Sequence, residues 1–264
     1  MLYTILESKI MTLQDYEVPV YRFIEEVPVI QWTPYIGETV LVRTIIKGGM
    51  KTIETAYYED KIKAVPRGNA YIIGNGPSRK DFDLKSLKES GQTYGCNALY
   101  RDFIPDFLFM VDAKISKEVV DNKVYEKCVC YAPALEVNRY PNTLSLIPRN
   151  PLWASGKAAA WTACMHGHKN LYLLGFEFQD RGPGQLNNIY QDTECYGPRN
   201  DNQFYNRWFE QLRFLIKMRP YCNFTLVHDN PPEQYNHLQD GIGQNNSQVI
   251  NYDEFKSTVL NQEI

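Results

Sequence analysis

From residue 70 onward, short continuous apolar runs alternate with segments whose apolar residues recur at helical spacing. The runs are Ala70–Ile73, Thr93–Asn97, Phe107–Val111, Cys128–Ala132, Thr143–Ile147, Leu171–Leu174 and Phe224–Val227. Between them, Ser116–Tyr125 and Lys157–Cys164 read as helices, and residues 201–218 place Phe204, Trp208, Leu212, Leu215 and Ile216 on one helical face. Tyr252–Leu260 reads as a closing helix. Strands without polar alternation are buried on both faces, and helices between them cover those faces. The pattern predicts an α/β fold: a Rossmann-like, doubly wound, mainly parallel sheet.

Residues 1–65 follow another grammar. Val18–Tyr21, Val27–Trp32 and Thr39–Ile46 are rich in β-branched residues, and Gly48-Gly49 separates Val40–Ile46 from Thr52–Tyr58. Two such runs joined by Gly-Gly predict a hairpin. The chain of 264 residues thus divides into a small β-rich unit, 1–65, and a Rossmann-like domain, 66–264.

Composition narrows the function classes. Lys plus Arg is 28 and Asp plus Glu is 31, a formal charge of −3, so no basic field points to nucleic acid. No apolar run approaches the ~18 residues of a membrane span, and Glu7 and Lys9 interrupt the start, unlike a signal peptide. Cys96, Cys128, Cys130, Cys164, Cys195 and Cys222 form no CxxC pair, and His166, His168, His228 and His237 lie at no metal-ligand spacing with them. Reduced thiols and a cytoplasmic setting follow. Tyrosine is in excess, 19 residues against 12 Phe; a ring with a hydroxyl suits half-wet clefts and interfaces. Tyr190, Tyr196 and Tyr205 fall in or just after a polar stretch, 179–203, while Tyr21, Tyr35, Tyr57 and Tyr58 fall in the N-terminal unit.

In doubly wound sheets ligands bind beyond the carboxyl ends of the strands, so the residues after each run carry the candidate chemistry. Gly74-Asn75-Gly76-Pro77-Ser78 follows the first run. Its glycines permit a tight turn and close backbone approach, and Asn75 can bond a sugar hydroxyl or a phosphate. Ser78 with Asp81 reads as a capping box opening a helix to about Leu87, whose N-terminus would attract an anion. Asn97 and Asp112 end later runs; Ser155-Gly156 opens the small-residue helix as a second amide cradle or as an N-cap with close packing. Leu174-Gly-Phe-Glu177 ends a run in a glycine and a carboxylate. His166 and His168, at a helix end, read as partners of the helix dipole.

Together AYIIGNGPSRKDFDL, YGCNALYRD and WASGKAAAWTACMHGHKNLYLLGFEF resemble the bacterial sialyltransferases of glycosyltransferase family 42. The likeness covers residues 70–178, continues loosely to about 216 and leaves 1–65 uncovered. The GNGPS and GxxF motifs are similar also to a wider group that includes pterin pyrophosphokinases, and the chain is similar in style to proteins of large tailed phages. The resemblance implies a metal-independent transferase whose donor is a CMP-linked or other nucleotide-activated sugar, with no further cofactor. Gly74, Asn75, Gly76, Asn97, Ser155 and Gly156 would hold the nucleotide; Tyr190 and Tyr196 would donate to its phosphate, with Arg199 neutralising it. The departures are Ala154 for a Thr, Glu177 for an Asp, Gln179 for an aromatic residue, and Tyr196–Asp201 where the family keeps a catalytic His.

Sugar transfer also needs a base for the acceptor hydroxyl, and Glu177, Asp192, Asp201 and His228 are the candidates. Two other readings stay open. One is a diphosphate-transferring enzyme in which Asp112 and Glu177 bind Mg2+. The other is a non-catalytic binding or structural component, of a phage particle for example, in which residues 1–65 dock a protein partner or a second copy.

Overall fold

The structure, a computed structural model, describes residues 68–140, 143–147, 153–179, 187–197, 203–240 and 245–260, together with five N-terminal strands. By its contacts the chain divides into two compact units, 1–65 with 109–153 and 66–108 with 154–264.

The N-terminal strands are β1 (Ser8–Leu13), β2 (Tyr16–Tyr21), β3 (Gln31–Pro34), β4 (Val40–Lys47) and β5 (Met50–Tyr57). β1 pairs antiparallel with β2, and β3-β4-β5 form a separate antiparallel sheet. β4 and β5 pair from Val40↔Tyr57 to Lys47↔Met50, the predicted hairpin; its Gly48-Gly49 turn lies outside the described residues.

Eight parallel strands make the main sheet. They are β6 (Asn69–Ile73), β7 (Gly91–Cys96), β8 (Phe107–Phe109), β9 (Val129–Ala132), β10 (Ser145–Leu146), β11 (Asn170–Leu174), β12 (Asn223–Val227) and β13 (Ser247–Ile250). Their order is β10-β9-β8-β7-β6-β11-β12-β13. Flanking them are α1 (Leu87–Ser90), α2 (Ala113–Asp121), α3 (Ala134–Arg139), α4 (Ser155–Met165), α5 (Gln203–Met218) and α6 (Tyr252–Phe255). The doubly wound α/β fold is therefore present. No helix among the described residues is long and apolar enough to cross a membrane.

Every residue of β7 is buried, Gln92 and Thr93 included, and β6 is buried from Ala70 to Ile73. Helix α4 is buried from Lys157 to Ala163, which is why its small residues show no polar face, and only its end, at Met165, is exposed. On α5, Leu212, Leu215 and Ile216 are buried as the spacing predicts, while Phe214 stays out.

Three expectations change. The helix predicted from Ser78 to Leu87 breaks into a 3-10 turn at Pro77–Arg79, a second at Leu84–Ser86 and the short α1. Ser78 does not cap it: the cap position is Gly76, and Asp83 restarts the chain by accepting the Lys85 N–H. Second, α3 and the edge strand β13 are additions; Ser247-Gln-Val-Ile250 has two apolar residues and half-exposed faces, too little pattern to read as a strand. Third, the tyrosine excess is partly core. Tyr71, Tyr94 and Tyr131 are fully buried, with Tyr94 stacked 4.8 Å from Phe107 and the Tyr71 hydroxyl 2.7 Å from Ser90 Oγ.

Candidate functional site

The first strand of the sheet in chain order, β6, lies at its centre. The chain leaves it toward β7 on one side and returns to it with β11 on the other. In such sheets ligands bind beyond the carboxyl ends of the strands on either side of this reversal. Gly74–Ser78 leaves β6 there, and Gly175–Phe178 leaves β11.

The two loops are zipped together. The Gly74 N–H donates to the Leu174 carbonyl at 2.8 Å and the Gly76 N–H to the Gly175 carbonyl at 2.9 Å, so strand pairing runs on past the strands. A Cβ on Gly74 would lie 2.4 Å from the Gly175 carbonyl oxygen, and one on Gly76 would lie 2.3 Å from Glu177 Cγ. Only glycine fits either place. Gly175 takes φ +68, a conformation glycine adopts freely.

Asn75 rides on this turn, buried at 8% exposure. Its Nδ2 donates to the Cys96 carbonyl at 3.0 Å at the end of β7, which fixes the amide's orientation because that carbonyl only accepts. The other end, Oδ1, is buried with no partner among the described residues. A lone acceptor of this kind calls for a hydroxyl or N–H hydrogen; a fully ionised phosphate offers none. Next to Cys96, Asn97 sits at φ +50 and its Oδ1 accepts the Ser155 hydroxyl at 2.8 Å. Ser155 thus spends its hydroxyl on Asn97. It does not cap α4, whose cap position is Ala154, held through its own N–H by Gln211. Gly156 makes room: a Cβ there would lie 2.8 Å from the Phe176 ring.

Glu177 projects over the turn and is buried. Its Oε1 accepts the Ser78 N–H at 3.0 Å, and its Oε2 accepts from His228 Nε2 at 3.0 Å. Burial opposes the charge, but the hydrogen bonds from His228 and from the Ser78 amide outweigh it and hold the carboxyl below its ordinary pKa. His228 Nδ1 accepts the Asn230 N–H at 3.1 Å, so the ring proton of the neutral imidazole stays on Nε2, facing Glu177. Both ring nitrogens of His228 are thus engaged in hydrogen bonds. Tyr235 closes the far side: its hydroxyl donates to the Phe176 carbonyl, and its ring lies 5.8 Å from His228 and 5.7 Å from Phe178. Burial pushes the Tyr235 phenol well up, and the Glu177 charge adds to the shift.

Arg79, one residue past Ser78, turns back beneath the turn and is buried at 3% exposure. Its Nε donates to the Gly74 carbonyl at 2.6 Å and its Nη2 to the Tyr190 hydroxyl at 3.2 Å. That hydroxyl donates to Asp102 Oδ2 at 2.6 Å, and the Ile189 N–H to the Asn75 carbonyl at 2.8 Å. Residues 189 and 190 are thereby fastened to the turn. Burial, more than the hydrogen bond to Asp102, pushes the Tyr190 phenol up. Its single hydrogen goes to Asp102, so Tyr190 positions the loop and has no hydrogen left for a phosphate. Tyr196 packs 6.2 Å from it, ring to ring, and is also buried.

The structure therefore gathers Gly74, Asn75, Gly76, Ser78, Asn97, Ser155, Gly156, Glu177, Tyr190 and His228 around the carboxyl ends of β6, β7, β11 and β12. Asp112 opens α2 in the other unit, exposed, its backbone carbonyl accepting from Ser116. Asp192 is exposed at φ +65, its N–H on the Tyr196 carbonyl. Arg199 and Asp201 lie outside the described residues. No group of three or more metal-binding side chains occurs among the described residues, and both Glu177 oxygens are already engaged. The sequence reading missed Arg79, Asp102 and Tyr235. Arg79 directly follows the GNGPS motif, but only the fold reveals that it is buried.

His166 and His168 are not cationic partners of the α4 dipole. Burial holds the His166 pKa down to about 3, and it lowers that of His168 as well. His166 Nδ1 shares a hydrogen bond of 2.9 Å with the Tyr94 hydroxyl. The six cysteines are free thiols, and Cys128 and Cys130 share a face with their sulfurs 3.8 Å apart.

Comparison of the chain with family models, with curated proteins and with solved structures returned no match.

Proposed function

We propose that the protein binds a nucleotide-activated sugar, CMP-linked by resemblance, at the β6/β11 crossing and transfers the sugar to an acceptor hydroxyl. The observation that carries this reading is the buried, partnerless Asn75 Oδ1 at the switch point, an acceptor that a ribose hydroxyl or a base amino group would satisfy. Asn97, steadied by Ser155, lies beside it on the β7 side. For transfer, Glu177 would take the acceptor proton after release from Ser78. A melting-temperature screen tests the reading, since a ligand that binds only the folded state raises stability by mass action. CMP and CMP-sugars should stabilise the wild type, and Asn75→Ala should remove the shift. Stabilisation by ATP with Mg2+ alone would support diphosphate transfer in its place.

A second reading has an observation of its own. Glu177 occupies the Ser78 amide and both nitrogens of His228 are engaged, so neither of these two candidate bases stands open. A protein that binds a sugar nucleotide, or keeps only the fold, without turnover fits that arrangement. A shift with CMP-sugar but no release of CMP in the presence of acceptor glycans would select it.

A further inference from the structure

Arg79 holds a permanent charge at 3% exposure. Burying a guanidinium is costly unless a counter-ion compensates it. None stands within ion-pair range among the described residues. Its two hydrogen-bond partners, the Gly74 carbonyl and the Tyr190 phenol, are neutral. Asp102 reaches it only through that phenol, and Glu177 is turned to Ser78 and His228. Two bonds also leave most of its five donors without a strong acceptor. The charge is therefore felt by its neighbours: it pulls down on the Cys96 thiol, which burial nevertheless raises to about 12, and on the Tyr190 and Tyr252 phenols. All of these flank the turn that carries the partnerless Asn75 oxygen.

We propose that Arg79 is the anion-recognising group of this site, the buried charge against which the phosphate of a nucleoside monophosphate moiety is bound. The assignment rests on the nucleotide reading above and adds a division of labour to it. Asn75 accepts from the hydrogen-bearing part of the ligand, and Arg79 answers its charge. The backbone amide of Ser78 is held by Glu177 until the carboxylate is released. Tyr190 keeps its hydrogen on Asp102 and steadies the guanidinium.

Calorimetric titration of the full chain with CMP, cytidine and pyrophosphate tests this at low salt. Wild type should bind CMP about 10- to 100-fold more tightly than cytidine, the range of one hydrogen-bonded charge. Arg79→Met should bring CMP to the affinity of cytidine and leave cytidine within about twofold, a split that a merely structural role would not give. An unchanged CMP-to-cytidine ratio in the variant, or equal weakening of both ligands, overturns the assignment. Should Arg79→Met not fold, Arg79→Lys replaces it: a reduced ratio with intact cytidine binding supports the assignment, and an unchanged ratio overturns it. Pyrophosphate separates the two layers. If pyrophosphate binds through Arg79 while CMP and cytidine do not bind, the anion site stands and the nucleotide reading falls. If wild type binds none of the three, or binds CMP and cytidine equally, the anion site falls.

Discussion

At the amino ends of β6, β7 and β11 the His168 ring lies between the Gly68 carbonyl, which accepts from Nδ1, and the Gln92 amide, which faces Nε2; nearby the Tyr94 hydroxyl meets His166. At the carboxyl ends of the same strands lie Arg79, Glu177 and Asn75. Both clusters are buried and polar, but their chemistry differs. The amino-end groups are neutral and are held by one another, the arrangement that fixes register in a core. The carboxyl-end groups include a cation with no carboxylate in ion-pair range and an acceptor with no donor among the described residues. Buried polar groups that complete each other serve the fold, whereas those left incomplete need another explanation, and the proposed ligand supplies one here. The two clusters stand a few residues apart along β7, so the difference cannot come from the strands themselves.

The largest effect that can break this comparison is steric. Gly74→Ala forces a Cβ against the Gly175 carbonyl, which is backbone and has no rotamer to change. It should cost about 3 kcal/mol or more in urea unfolding. Wild-type stability would mean that the two loops are not zipped.

Acid sharpens the comparison next. His166 is held near pKa 3 when folded, against an unfolded reference of 6.5. In that window the unfolded chain binds a proton that the folded chain refuses, so stability falls as pH falls. The loss is at most about 1.4 kcal/mol per pH unit for each such histidine. Between about pH 6 and about pH 5 the slope reports the amino-end histidines, and His166→Gln should flatten it. Glu177, with its pKa lowered in the fold, contributes stability that is present above the ordinary carboxylate range and is lost below it. Its loss therefore appears only at lower pH. An equal slope in His166→Gln would show that the amino-end cluster is already hydrated.

Glu177→Gln should cost roughly 1–2 kcal/mol, since it weakens two charge-assisted bonds but keeps the shape. Its unfolding midpoint should lose sensitivity to acid below the carboxylate range. Smallest of all, Tyr190→Phe removes a hydroxyl that links Arg79 to Asp102 and should cost about 1 kcal/mol. A variant as stable as wild type would show that residues 189–190 are held by the Ile189 N–H alone.

Period and punctuation carried the architecture in the sequence. Apolar runs without alternation marked β6, β7, β11 and β12, and the small-residue run marked α4. The turn glycines of the site were legible because tight approach leaves no other residue type. What failed to show was burial of charge. Nothing in Ser-Arg-Lys-Asp distinguishes Arg79, which folds inward, from Lys80, which is exposed. The hydrogen-bond direction at Tyr190 was equally hidden, for it depends on Asp102, far away in sequence. Ser78 read as a cap because its spacing to Asp81 is right, yet Pro77 and Asp83 cut the helix into single turns. Spacing records which residues can meet, and the fold decides which of them do.

The position of β6 at the centre of the sheet has a consequence for biosynthesis. Ala70 pairs with Leu171, about a hundred residues later in the chain. At ribosomal rates of about 5–20 residues per second, one edge of a largely apolar strand stays open for on the order of 5–20 s before its partner exists. Until Leu171–Leu174 emerges, the nascent chain carries an unfinished sheet with that edge exposed to other chains. The β6–β11 seam therefore closes late in the protein's manufacture, and only the β11–β12 and β12–β13 seams close after it.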